Sequence, residues 1–510
     1  MGEVTPHKYL SRLPVVAVFL FCLVPLFYHL GTPAIFMWDE ATYANNAIDM
    51  YRSNDPIVVR MEGHPDLYNT KPPLVLWMQT LSMHLFGLNE FAIRFPSAFF
   101  SALILLLLLW FCVAVLHSNL AGIFAMLTLA GSNGFVSSHG SRSGDLDAIM
   151  VFWMTLYALV FIKFLIEKKD FLTHFLVISA GITGAFLSKG VAGFFFIPFL
   201  ILLAIVDGSF LLLFRKWELY LLAIIVFTIC FGYYFVREKA APGYWDKVLS
   251  SEWSRYGKSN MSWQVQPLDF YLRNFFSGRF TPFVYLLPFS AAVWLVRTTS
   301  TIKKVALYCW ILSLGYLLLI SFPADKLGWY DEPVYPQFAL IIAITLVTYM
   351  EMLSRLFREK YKKAVTLITL TLFLLVLLFI PYKNFLANVV ADEQVRAPWD
   401  TSQTDVFRIH GAYMKHLKEQ MPQLKNYTVL KALPYDTEYD DQAKFYERTY
   451  HVLDSSSIQI KHFNSQISTG DTVLVCDKNE SDSLQGSFKC TLLNSWNGCE
   501  LFYLAERKQK

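Results

Sequence analysis

Long apolar runs almost free of charged residues dominate the chain up to about residue 383. A helix that crosses a membrane needs roughly 20 apolar residues, with about 17 as a lower limit. By this criterion the sequence predicts about 11 spanning helices. They lie at 13–37, 95–116, 119–138, 148–166, 171–188, 190–206, 217–236, 280–296, 305–324, 333–350 and 364–382. A shorter apolar segment, 72–87, contains Gln79 and His84 and is predicted to lie along the membrane surface or to pack on the bundle.

Charged residues become frequent in the C-terminal part of the chain, and the pattern changes with them. Residues 404–420 have helical spacing, whereas 427–432, 472–476 and 499–504 have the pattern of strands. The sequence therefore predicts a polytopic α-helical membrane domain at 1–383, followed by a small α/β domain at 384–510.

The composition agrees with a membrane protein. Of the 510 residues, 55% are hydrophobic and only 16% are charged, whereas about a quarter of the residues are charged in a soluble protein. The mean hydropathy is +0.39. A net charge of +4 is too small to suggest a nucleic-acid partner.

The seven cysteines fall into two groups. Cys22, Cys112, Cys230 and Cys309 lie in apolar runs and are predicted to be small core residues. Cys476, Cys490 and Cys499 lie in the C-terminal domain. Two of these three could form a disulfide if that domain faces an oxidising compartment. The sequence leaves open which two would pair.

The basic residues indicate the orientation of the helices, because short loops rich in Lys and Arg stay in the cytoplasm. Alternate gaps contain Lys8 and Arg12, Lys168 and Lys169, Arg215 and Lys216, Arg297, Lys303 and Lys304, and the basic stretch 355–363. The remaining gaps mix acids with bases; they are 38–94, 139–147, 188–190, 237–279 and 325–332. These gaps are predicted to face outside together with the C-terminal domain, and 38–94 is then the first extracytoplasmic loop.

This orientation gathers charged residues from five loops at one face of the membrane. They are Asp39, Glu40, Lys71, Arg142, Asp145, Asp147, Lys189, Glu252, Arg255, Asp325, Lys326, Asp331 and Glu332. Carboxylates and basic groups collected at one interface of a helical bundle predict a functional site there. Transporters instead place polar residues near the middle of the bilayer, often in repeated halves, and no repeat is evident in this chain.

Two stretches in the first outer loop have the chemistry of a phosphate and sugar site. In YNTKPP, Lys71 precedes two prolines that hold the backbone extended, and a rigidly presented ammonium group suits a phosphate. The alternative is a lysine that reaches towards lipid headgroups. In WDE, Asp39 and Glu40 can accept a proton or bind sugar hydroxyls, although an acid at a helix end is also an ordinary structural feature.

Two later loops add further candidates. Asp147 is the last charged residue before a span, where a carboxylate is costly and is usually paired or functional; Arg142 is the predicted partner, and a simple N-terminal helix acid is the alternative. In ADKLGWYDEP, Lys326 offers a second ammonium group for a phosphate, and Trp329 and Tyr330 accompany it. Aromatic residues at this position are also typical of a membrane-interface belt.

Four short motifs, each with only a few defined positions, follow one another along the chain. They are WDE at 38–40, Y-x-x-K-P at 68–72, R-x-x-x-x-D at 142–147 and K-x-x-W-Y-x-x-P at 326–333. Together they resemble the bacterial membrane glycosyltransferases with GT-C fold. More narrowly, they resemble the 4-amino-4-deoxy-L-arabinose lipid A transferases and the related protein O-mannosyltransferase-like proteins. The resemblance covers roughly residues 13–382.

The resemblance implies an inverting enzyme of the bacterial inner membrane. Such an enzyme takes a sugar from a polyprenyl-phosphate-linked donor and attaches it to lipid A, an envelope glycan or a protein outside the cytoplasm. The resemblance makes Asp39 and Asp147 the catalytic acids, assigns the donor phosphate to Lys71, Tyr43 and Tyr68, and places Glu252 and Tyr330 in the cavity. From their positions in the loops we add Arg142 and Lys326 at the phosphate and Glu40 and Trp329 in the cavity.

The chain departs from the family pattern at several of these positions. Thr42 stands where the lipid A enzymes have Arg, Thr70 where they have Glu, and Trp253 where the His of a Glu-His pair is expected. Asp331 and Glu332 are acids at usually apolar positions. These changes weaken lipid A as the acceptor. They also weaken the case for a divalent metal, for which Asp39 and Glu40 with a distant His64 or His139 are the available ligands; no cofactor is predicted with certainty.

Two other functions remain open from the sequence. One is a transporter or flippase of lipid-linked sugars, and the other is a polysaccharide polymerase or ligase that uses a lipid-diphosphate donor.

Overall fold

The computed structural model describes most of the chain. The described residues are 12–36, 38–137, 139–254, 265–296, 298–393, 409–431, 440–462 and 466–508. The chain separates into two compact units. The first, called the helical unit below, comprises Met1–Tyr28, Leu67–Val75 and Ser97–Ala387. The second, called the mixed unit, comprises His29–Asp66, Leu76–Pro96 and Asn388–Lys510.

Seven helices in the described part of the chain are long and apolar enough to cross a membrane. They are Glu90–Ala114, Asp147–Glu167, Phe171–Phe194, Trp217–Ala240, Ser300–Ser321, Gly328–Leu356 and Lys360–Ile380. Five shorter apolar helices are Leu13–Phe27, Leu74–Phe86, Asn119–Ala130, Ile197–Val206 and Phe283–Leu295. The predicted polytopic helical fold is therefore confirmed, whereas the count of about 11 spans stays a prediction.

The predicted span at 280–296 is not a regular α-helix. It consists of the short 3₁₀ turns Phe283–Leu286 and Pro288–Ala291, followed by the α-helical turn Ala292–Leu295. Pro282 and Pro288 explain the interruption, because proline lacks the N–H that a continuous helix requires.

Small residues allow two helices of the helical unit to pack closely. A Cβ atom on Gly184 would lie 2.4 Å from the ring of Trp153, and one on Gly181 would lie 2.8 Å from the Cβ of Tyr157. The helices Asp147–Glu167 and Phe171–Lys189 therefore approach each other at a distance that larger side chains would prevent. The helix Asp147–Glu167 begins with Asp147 and the helix Phe171–Lys189 ends with Lys189, so this packing fixes two of the charged groups described below.

A buried carboxylate joins the segments predicted to face the cytoplasm. Asp207 follows the helix Ile197–Val206. Its carboxylate oxygens lie 2.7 Å from Lys168 Nζ and 3.0 Å from Lys304 Nζ, and the hydroxyl of Tyr308 donates a hydrogen bond of 2.8 Å to it. One side chain thus connects three segments that are distant in sequence.

The mixed unit contains a five-stranded sheet. From edge to edge the strands are Ser457–Lys461, Asn426–Leu430, Thr472–Val475, Cys499–Arg507 and Phe488–Trp496. The first three strands are parallel and the last two pair antiparallel. The helices Ile409–Gln420, Asp441–Asp454 and Lys478–Ser487 belong to the same unit. The predicted α/β character of this region is confirmed.

Part of the predicted first outer loop packs into the core of the mixed unit. The helix Asp39–Ser53 buries Ala41, Ala44 and Ile48 in the same core as Tyr413. The hydroxyl of Tyr446 donates to Glu90 Oε1 at 2.9 Å and accepts from the Ile35 N–H at 3.1 Å. The segment 72–87 forms the helix Leu74–Phe86, whose residues Leu76 and Met83 belong to this core as well.

The mixed unit also contains a disulfide between Cys476 and Cys499. Cys476 follows the strand Thr472–Val475, and Cys499 begins the neighbouring strand. Cys490 is a free thiol. The structure thus selects the pair that the sequence left open.

Candidate active site

Lys71 is held at a fixed position in the helical unit. The two prolines that follow it keep the backbone extended, and its own N–H donates to Asn69 Oδ1 at 3.1 Å. Its ammonium group lies 2.7 Å from Glu252 Oε1, with the two side chains 11% and 28% exposed. Both members of the pair are thus oriented yet partly open to a ligand.

The surroundings of this pair come from distant parts of the sequence. The hydroxyl of Tyr244 donates to the carbonyl of Thr70 at 2.9 Å, which fastens the lysine segment to the helix Tyr244–Ser254 that contains Glu252. Tyr68 is almost fully exposed. Arg255, the predicted neighbour of Glu252, lies outside the described residues.

A second ion pair lies at the ends of two packed helices. Lys189 Nζ contacts Asp147 Oδ1, and both side chains are buried or nearly so. The same ammonium group lies 5.0 Å from the centre of the Tyr330 ring. The sequence predicts Arg142 as the partner of Asp147, but in the structure Asp147 pairs with Lys189. Arg142 donates to the carbonyl oxygens of Pro25 at 3.0 Å and Tyr28 at 2.9 Å.

His139 and Asp145, which lie a few residues before Asp147 in the sequence, form a third pair. His139 Nδ1 lies 3.0 Å from Asp145 Oδ2, and the imidazole stacks on the Trp329 ring with centroids 3.7 Å apart. Burial raises the pKa of Asp145, but His139 and the hydroxyl of Ser143 lower it more, so the net pKa is below its usual value. From the sequence, His139 was a candidate metal ligand only, and its contacts with Asp145 and Trp329 were not predicted.

The negative charges of Asp331 and Glu332 are compensated by Arg279, which was not among the residues predicted from the sequence. Arg279 Nε lies 3.4 Å from Asp331 Oδ1, and Arg279 Nη2 lies 3.3 Å from Glu332 Oε1. Tyr335 and Asn274 each donate a hydrogen bond of 2.9 Å to Asp331. The two acids at usually apolar positions are therefore members of a buried, hydrogen-bonded network. Arg279 directly precedes the apolar run 280–296. A basic residue at the start of a predicted span is the feature of the sequence that could have identified it.

Lys326 is oriented by backbone carbonyls. Its ammonium group donates to the carbonyl of Gln266 at 2.8 Å and to that of Pro323 at 2.7 Å. Burial lowers its pKa below the usual value, although Asp325 opposes this shift. The neighbouring Tyr330 is fixed through its own carbonyl, which accepts the Tyr316 hydroxyl at 3.0 Å.

The remaining predicted residues lie in the mixed unit. Asp39 is exposed at the first position of the helix Asp39–Ser53, and Tyr43 packs partly buried against the core. Glu40 is buried and forms a two-point ion pair with Arg94, at 2.7 and 2.9 Å. This geometry gives Glu40 a structural role in the unit. His64 is exposed in a short strand.

Within the helical unit, the predicted residues are oriented by partners that the sequence did not indicate. Lys71 is paired with Glu252, and Lys189 joins Asp147 to Tyr330. Each of these basic groups is held in a fixed orientation, as are Arg142 and Lys326 by backbone carbonyls, and an oriented cation can bind an anion such as a phosphate.

The fold is that of a polytopic helical membrane protein and is similar to the GT-C fold. Residues 70–234 match the family model described as dolichyl-phosphate-mannose-protein mannosyltransferase. The structure is similar to that of ArnT from Cupriavidus metallidurans bound to undecaprenyl phosphate, with a TM-score of 0.65 and 15% identity over 97% of this chain and 98% of that one. The apo form of the same protein gives a TM-score of 0.63.

The curated relatives agree with this structural similarity. The chain is 27% identical to the undecaprenyl phosphate-alpha-4-amino-4-deoxy-L-arabinose arabinosyl transferase of Pectobacterium carotovorum, over 63% of this chain and 57% of that protein. It is 27% identical to an uncharacterised protein of Aquifex aeolicus, over 64% of this chain and 63% of that protein. The chain thus matches about three fifths of the length of these relatives. The resemblance inferred from the motifs is confirmed.

Proposed function

We propose that this chain is an integral membrane glycosyltransferase that transfers a sugar from a polyprenyl-phosphate donor to an extracytoplasmic acceptor. The main support is the fixed ammonium group of Lys71, which is oriented by Glu252 and remains partly exposed. The names of the curated arabinosyl transferases and of the structure with bound undecaprenyl phosphate support the same donor class.

In this proposal Lys71 binds the donor phosphate. Breaking the bond between the anomeric carbon and the phosphate oxygen leaves negative charge on the phosphate, and a preoriented ammonium group stabilises that charge as it develops. Arg142 and Lys326 assist from their backbone anchors, and Tyr43 and Tyr68 contribute to the donor site on the evidence of the motifs. Trp329 and Tyr330 belong to the cavity, where Lys189 contacts the ring of Tyr330.

The transfer itself is a single displacement with inversion. The acceptor oxygen attacks the anomeric carbon as the phosphate leaves. A hydroxyl acceptor must lose its proton, and the motifs assign this proton to the carboxylate of Asp39. An acceptor phosphate is already ionised, and Asp39 then only positions it. Asp147, held by Lys189, is the second acid.

We further propose that the protein lies in the bacterial inner membrane with its C-terminal domain outside the cytoplasm. The distribution of basic residues supports this orientation. The disulfide between Cys476 and Cys499 supports it independently, because disulfides persist in oxidising compartments. Residues 1–383 are then the transferase domain, and 384–510 are the extracytoplasmic domain.

Deletion of the gene tests the proposal in the cell. Mass spectrometry of lipid A, envelope glycans and glycoproteins should show the loss of one sugar mass from a single pool. The intact gene should restore that mass. Accumulation of lipid-linked sugar on the inner leaflet would instead indicate a flippase, and shortened polysaccharide chains would indicate a polymerase.

A further inference from the structure

A large polar cavity lies within the mixed unit, and its lining residues have no role in the proposed transfer. Its volume is about 910 Å³, which falls in the usual range of about 300–1,000 Å³ for ligand sites. Its lining residues come from the C-terminal part of the helix Asp39–Ser53, from the helix Asp441–Asp454 and from the strand Ser457–Lys461. The hairpin of Arg60–Met61 and His64–Pro65 contributes Arg60, Glu62 and Gly63.

Internal ion pairs fix these walls relative to one another. Arg448 forms a buried pair with Asp49, which connects the two helices. Glu62, at the tip of the hairpin, lies 2.5 Å from Lys444 Nζ, and the N–H of Gly63 donates to Asp49 at 3.3 Å. The hairpin tip is thus anchored to both helices. A cavity with fixed walls loses little conformational freedom on binding, which favours affinity.

Two charged groups in the cavity remain available after these pairs are formed. The lining contains four acids and four bases. Three pairs account for six of these residues, the third being Arg60 with Asp55 at 3.1 Å. The two others are Arg52 and Glu447, and neither has a hydrogen-bond partner among the described residues. Glu447 is half-buried, and burial raises its pKa.

The chemistry of the lining indicates the class of ligand. An ionised carboxylate accepts hydrogen bonds from adjacent hydroxyls, and a guanidinium group donates several in one plane. Ile458 and Ile460 add an apolar surface that suits the C–H face of a sugar ring. Because the formal charges of the lining cancel, the cavity offers no net attraction for a phosphate or an anionic lipid headgroup.

We propose that this cavity is a non-catalytic binding site for a neutral saccharide, with Arg52 and Glu447 as the recognising groups. The cavity shares no lining residue with the proposed donor phosphate site, and saccharide binding does not depend on the transfer activity. For an enzyme that glycosylates the cell envelope, such a site would hold the carbohydrate part of an acceptor.

The test uses the full-length protein in detergent micelles on an array of neutral and charged glycans. The variants are Arg52→Ala and Glu447→Gln, with Arg507→Ala and Glu506→Gln as matched controls at the exposed end of the strand Cys499–Arg507 in the same unit. We expect the wild type to bind a set of neutral saccharides. Each cavity variant should weaken this binding about tenfold, with an unchanged melting temperature, and the controls should bind like the wild type.

Three results would overturn the inference. They are a wild type that binds no neutral saccharide, cavity variants that bind as well as the controls, and binding restricted to anionic glycans that vesicles of phosphatidylglycerol compete away. A transfer assay on the same preparations keeps the two proposals apart. If the wild type turns over the donor but binds no saccharide, only the cavity proposal is wrong. If the wild type does not turn over the donor, the proposed function is wrong.

Discussion

Replacement of Lys71 by methionine is expected to slow transfer from a polyprenyl-phosphate sugar by about 10²–10³-fold, because the leaving phosphate loses the charge that stabilises it. Methionine preserves most of the length of the side chain and removes the ammonium group. Glu252 is partly exposed, so the carboxylate left without its partner can be hydrated. The protein should therefore remain folded. The measurement is the initial rate of sugar transfer by purified variants at a fixed concentration of acceptor.

Two further variants separate the phosphate role from a general effect of charge. Lys71→Arg keeps the positive charge and should retain part of the activity. Lys303→Ala removes a lysine from a gap predicted to face the cytoplasm and should transfer sugar like the wild type. Equal rates for Lys71→Met and the wild type would refute the assigned role of Lys71.

Replacement of Arg94 by methionine should destabilise the mixed unit by about 3–5 kcal/mol, since it leaves a buried carboxylate without its partner. Arg94 is buried and donates to both oxygens of Glu40 and to the carbonyls of Leu30, Pro33 and Ala34. The variant thus also leaves three carbonyl oxygens without their donor. The midpoint of thermal unfolding in detergent should fall by several degrees.

The double variant Glu40→Gln with Arg94→Met provides the internal control, because it removes the buried charge as well as its partner. It should recover part of the lost stability. Arg507→Met, at an exposed position, should leave the midpoint unchanged. A midpoint for Arg94→Met equal to that of the wild type would mean that this buried pair is not needed for the stability of the unit.

The helical fold could be predicted because it depends on patterns local in sequence. Apolar runs reveal candidate spanning helices directly, and the alternation of basic gaps predicts which loops lie on the same side of the membrane. The broken span at 280–296 could have been found from Pro282 and Pro288. Hydropathy alone does not detect such an interruption.

The partners of the site residues could not be predicted, because they depend on packing between distant segments. Lys189 meets Asp147 at the ends of two helices that glycines allow to pack closely. The sequence offered Arg142, which is nearer to Asp147 in the chain. The burial of the helix Asp39–Ser53 with the C-terminal strands depends on contacts across more than 350 residues, such as that of Asn45 with Asp441. Neither hydrophobic periodicity nor a sequence motif indicates contacts between such distant residues.

The most direct test of the account is a transfer assay in proteoliposomes that contain the purified protein and a polyprenyl-phosphate sugar labelled in the sugar. The acceptor is the membrane glycolipid and glycan fraction of the deletion strain. Label should move to one acceptor as an equal amount of polyprenyl phosphate is released, and Lys71→Met should slow both changes by about 10²–10³-fold. Label that stays on the donor while the donor crosses to the other leaflet would contradict it.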